Sequence, residues 1–91
     1  MKRIQLTVIG RVVGVGFRYC VKSYAEKNNI KGYVKNLVDS SVEIVAEGER
    51  DEIDKMIEWI KSSPNDSNVK NIVISEYYGK EEFFDFQIRR I

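Results

Sequence analysis

Apolar residues recur at every second position near the start of the chain, at Ile4, Leu6 and Val8, a period that predicts a short strand stopping at Gly10. From Phe17 the period lengthens. Phe17, Cys20, Val21, Tyr24 and Ala25 fall on one face of a helix that ends near Asn28 and Asn29. Residues 30–38 read as a strand, Asp39, Ser40 and Ser41 as a turn, and residues 42–46 as the returning strand of a hairpin closed by Glu47 and Gly48. Ile53, Met56, Ile57 and Ile60 restore helical spacing. Acidic Glu49, Asp51 and Glu52 near the start of that helix, and Lys61 near its end, complement its dipole. A polar loop over residues 62–68 holds the only proline, Pro64, and residues 69–77 and the alternation Phe84, Phe86, Ile88 predict two further strands. Trp59 and the aromatics around Phe83 read as core or sheet-surface packing.

The order is βαββαβ with a small terminal strand. Two helices with one apolar stripe each need one sheet face to cover, which predicts an α/β sandwich (α+β) of the ferredoxin-like split-βαβ kind, with an antiparallel sheet and both helices on one face. With 91 residues the expectation is a single domain, 1–91. That architecture hosts many functions and names none.

Lys and Arg number 15 against 14 Asp and Glu, so no global field draws the chain to nucleic acid or to an anionic membrane. Any anion site must be local. One cysteine, Cys20, and no histidine exclude a disulfide scaffold and a Cys/His metal cluster. Cys20 lies on the apolar helix face, where packing is favoured over nucleophilic chemistry. The N-terminal run is too short and too often interrupted for a signal or membrane segment, which makes the cytoplasm the expected location and membranes an unexpected partner.

Residues 10–18, G-R-V-V-G-V-G-F-R, join strand to helix. Glycines suit any tight connection, but they also let backbone N–H groups converge into a concave nest for an anion beside the positive end of the helix. Spacing alone leaves both open. Arg18 follows in the first helical turn, where a cation opposes the dipole, so its planar fork points to a ligand with paired oxygens such as phosphate. The phosphate-loop motif GxxxxGK[ST] is absent, and Gly14-Val15-Gly16 lacks the third glycine and acidic partner of a dinucleotide site.

This run closely resembles the acylphosphatase signature G-x-V-Q-G-V-G-F-R. The later K-G-Y-V-K-N-L-V-D-S-S-V-E-I-V-A-E-G resembles that family's second block, G-W/Y-V-x-N-x-x-D-G-x-V-E-x-x-x-E-G. The resemblance covers essentially the whole chain. It implies the fold derived above and hydrolysis of the carboxyl–phosphate bond of acyl phosphates, without metal or cofactor. By position it implies Arg18 as the phosphate-binding arginine, Asn36 as the residue that orients the attacking water, and Val13, Gly14, Val15, Gly16, Phe17 and Arg18 as the phosphate cradle. Val13 stands in place of glutamine, Ser40 of the hairpin glycine, and Asn65 and Ser67 of a proline and an alanine in the last loop. These departures point to altered substrate preference, rate or turn strain.

The chemistry asks little of the protein. A carboxylate leaving group, whose acid has a pKa of about 4 to 5, needs no general acid, and a loose phosphoryl-transfer transition state asks mainly for positioning and charge stabilisation. Inorganic phosphate is then both product and expected competitive inhibitor, and a monomer suffices. Arg11, Tyr19, Lys22 and Lys35 read as rim positions, with Arg11 a candidate for steering an anionic substrate. Two other readings compete. Acylphosphatase-like domains also open larger carbamoyl-transfer proteins as non-catalytic carbamoyl-phosphate-binding modules. An RNA-binding ferredoxin-like domain is suggested by Lys31-Gly32-Tyr33-Val34, but Lys35 stands where a stacking aromatic is needed.

Overall fold

The computed structural model describes residues 1–90. Its elements are β1 (Lys2–Arg11), α1 (Phe17–Lys27), β2 (Lys31–Asn36), β3 (Val42–Gly48), α2 (Arg50–Lys61), β4 (Asn68–Glu76) and β5 (Phe86–Arg89). The strands form one sheet in the order β4-β1-β3-β2-β5. The first four strands pair antiparallel, as expected, but β5 runs parallel to β2, so the sheet is mixed. A two-residue period is common to both pairings and could not separate them.

Register sorts the side chains into rows. Ile4 faces Ala46, Leu6 faces Ile44, which in turn faces Val34, and Val8 faces Val42, all on the side covered by the helices. α1 lies over β2 and β5, and α2 over β3 and β4. The helices meet where Tyr24 stacks on Trp59, ring centroids 4.3 Å apart, which gives Trp59 the packing role expected of it.

The other sheet face is not bare. β4 ends at one edge of the sheet and β5 begins at the other, so residues 77–85 must cross between them. Phe83 packs there on Tyr33 and Val45, with Tyr77 beside it. Arg3 and Arg89 lie over these rings, Arg3 Nε 2.8 Å from Glu47 and Arg89 paired with Glu81. The aromatic run therefore splits: Phe83 is buried on this face, Phe86 in the helix-side core, and Phe84 is 82% exposed and precedes β5. A cleft of about 450 Å³ opens beside Arg3, Lys31 and Phe83, where Arg3 pairs with Glu47 and Glu81 with Arg89.

Candidate active site

Topology brings Asn36 to the end of the sheet where the glycine loop begins. β2 returns beneath α1, so its last residue lies below the helix start, and Asn36 faces Val42, which faces Val8. Those two steps across the sheet span about 10 Å. The chain leaving β1 must pass this end of β3 to reach α1 over β2. Asn36 is thus the polar end of an otherwise apolar core row. Its Oδ1 is buried with no hydrogen-bond partner. A buried acceptor left unmatched is costly, which marks a place for water or ligand.

The loop itself alternates anchors with openings. Val12 and Phe17 are buried and Val15 packs against the core, while Val13, Gly14 and Gly16 face outward. Gly14 and Gly16 adopt φ of 79° and 73°, the left-handed region that side chains disfavour. A Cβ on Gly14 would meet nothing within 4 Å, so conformation and not crowding requires glycine there. Gly16 occupies the N-cap of α1 in that conformation. No side chain caps the helix and its first turn holds no acid. The first N–H groups of α1 therefore lack acceptors, since the earliest helical bond runs from Cys20 N to Gly16 O. These groups make a ready anion cradle at the positive end of a dipole.

Arg18 rises from this turn, half-buried and without a carboxylate partner among the described residues. Arg11 Nη2 donates to the Asp66 carbonyl at 2.7 Å. Lys22 donates to the Phe86 carbonyl at 3.0 Å, tying α1 to β5, and Lys35 lies 3.8 Å from Glu43 on the far face. Cys20 is only half-buried, short of the full burial its helical spacing suggested. Burial still pushes its thiol pKa up, with Lys27 acting weakly in the opposite sense, so little thiolate is available. Tyr33, which an RNA-binding reading would need exposed for stacking, is buried under Phe83 and donates its hydroxyl to Glu43 at 2.8 Å. That burial removes the stacking platform such a reading requires.

Sequence reasoning missed Asn65 as a partner of the loop. Its Nδ2 donates to the Val15 carbonyl across 50 positions of chain. No period or motif carries such a contact, and its one trace in the sequence is the departure from the loop pattern at that position.

Comparison with known proteins gives a consistent result. The acylphosphatase family model matches residues 4–88. A protein named acylphosphatase from Actinobacillus succinogenes is 42% identical over 86 residues, 94% of this chain and 96% of its own. The crystal structure of acylphosphatase from Bacillus subtilis superposes with a TM-score of 0.90 at 38% identity, covering 98% of this chain and 99% of that one. Full-length HypF in its phosphate- and nucleotide-bound form matches with a TM-score of 0.84 at 36% identity over 97% of this chain but only 12% of its own.

Proposed function

This chain belongs to the acylphosphatase family, and from that premise we propose that it hydrolyses acyl phosphates with Arg18 and the loop amides binding phosphate and Asn36 orienting the attacking water. In this reading residues 1–91 work as a single domain and a monomer in the cytoplasm. The hydrolase activity itself follows from the family.

The substrate phosphate sits in the concavity of residues 13–18, its equatorial oxygens taking N–H bonds from the loop and helix start and the bidentate fork of Arg18. Asn36 holds a water in line with the bond to the carboxyl oxygen. The water oxygen bonds to phosphorus as the phosphorus–oxygen bond breaks. Carboxylate departs with the bonding pair, and the water's proton passes to phosphate or solvent. An amide cannot take that proton usefully, so Asn36 positions and does not act as base. Charge neutralisation falls to Arg18 and the amides. A non-catalytic binding module, the runner-up, would need Arg18 and the cradle but not Asn36.

The observation that carries this reading is the buried, unpartnered Oδ1 of Asn36 at the end of a core row. It is tested with Asn36→Ala and benzoyl phosphate. The expected result is a kcat lower by about 10² or more, with KM and competitive inhibition by inorganic phosphate nearly unchanged and the thermal transition retained. Retained kcat with lost phosphate affinity would make Asn36 a substrate ligand and defeat the assignment.

A further inference from the structure

The loop between α2 and β4 reaches the cradle through one side chain. Asn65 Nδ2 donates to the Val15 carbonyl, and the same nitrogen is what a Cβ on Gly16 would meet at 3.0 Å. The Val15–Gly16 peptide is planar and trans, so its carbonyl and its N–H point in opposite directions. Pinning the carbonyl to Asn65 directs the Gly16 N–H away from it. Were this peptide to flip, a carbonyl oxygen would replace an N–H donor and repel an anion.

The loop that carries the donor is itself held. Ser67 N and Oγ both donate to the Pro64 carbonyl, at 3.3 and 2.6 Å, and Val69 N donates to Ser63 Oγ at 2.9 Å. Arg11 ties Asp66 to β1 from the other side. Asn65 adopts φ 59°, a conformation asparagine tolerates better than most residues and one that aims its short amide back across the loop.

We infer that Asn65 is a positioning residue of the phosphate cradle, holding the Val15–Gly16 peptide in the orientation that donates to the anion. This rests on the reading of the cradle given above. Asn65→Gly removes the donor and keeps the backbone conformation accessible, while Asn65→Asp keeps the shape and sets an acceptor against the Val15 carbonyl. Both variants are expected to keep a Tm near wild type. KM for benzoyl phosphate and the inhibition constant of inorganic phosphate should rise together, by about three- to tenfold for Asn65→Gly and further for Asn65→Asp, as one hydrogen bond implies. kcat should change far less, a split that general loosening would not give. By NMR, the wild-type Gly16 amide proton should shift on adding phosphate, and shift less in Asn65→Gly. Unchanged KM and phosphate inhibition in both variants would overturn the inference. A wild-type Gly16 amide indifferent to phosphate would overturn the cradle beneath it, so the two failures are distinguishable.

Discussion

Arg18 sits where helix energetics disfavour it. A cation in the first turn opposes the dipole at a cost of about 0.3–1 kcal/mol, and no acid in that turn offsets it. A ligand anion is what would reverse the sign. Arg18→Lys keeps the charge and loses the fork, so kcat/KM for benzoyl phosphate is expected to fall at least about tenfold, with weaker inhibition by phosphate. Near-normal kinetics would remove Arg18 from the site. Arg18 and Asn36 could be singled out as candidates in the sequence because each sits inside a contiguous motif. The orphaned Oδ1 of Asn36 and the reach of Asn65 to Val15 were not, because both depend on segments far apart in the chain.

Among the elements, helix boundaries were the best read. α1 begins at Phe17 as its spacing implies and α2 spans the acidic start and Lys61 end expected of it. β2 is shorter than residues 30–38 suggest. It stops at Asn36 because the hairpin closes there, with Leu37 N bonding the Ser41 carbonyl at 2.8 Å and Ser40 N bonding Leu37 O at 3.2 Å. Asp39 secures the turn by accepting from Ser41 N at 3.0 Å, and the Ser41 bonds hold its carboxyl below the usual range. The strain anticipated at Ser40 is present: φ is 71° on a residue with a side chain. Ser40→Gly is therefore expected to raise stability by about 0.5–1 kcal/mol in urea unfolding, since relief of the left-handed conformation outweighs the added chain entropy. A destabilised variant would show that the Ser40 conformation carries no strain.

At the scale of the molecule, the helix-side core was readable from periodicity, since Ile4, Leu6, Val8, Ile53 and Met56 are all buried. The aromatics around Phe83 were readable as packing, but the crossing of residues 77–85 that seals them against Tyr33 and Val45 was not, because an alternation treats that sheet face as solvent. Tyr33 reports on this cover. Burial first, and then its bond to Glu43, raise its pKa above the ordinary value of about 10. A raised folded-state pKa contributes stability present below the unfolded value and lost as pH climbs toward the folded one. Tm should accordingly fall in alkali above about pH 10, and Tyr33→Phe should fall less steeply over the same window. Parallel slopes for the two proteins would show that the ring is hydrated.

β2 is flanked on both sides, by β3 and by β5. Asn36 therefore hangs from a strand that cannot move without breaking two ladders, whereas the facing loop is held by Val12, Val15, Phe17 and the bond from Asn65. One wall of the site is stiff and the other compliant. If the loop grips the anion and Asn36 aims the water, as proposed, warming, pressure or a loosening substitution should reach the loop first and weaken anion binding while the water is still aimed.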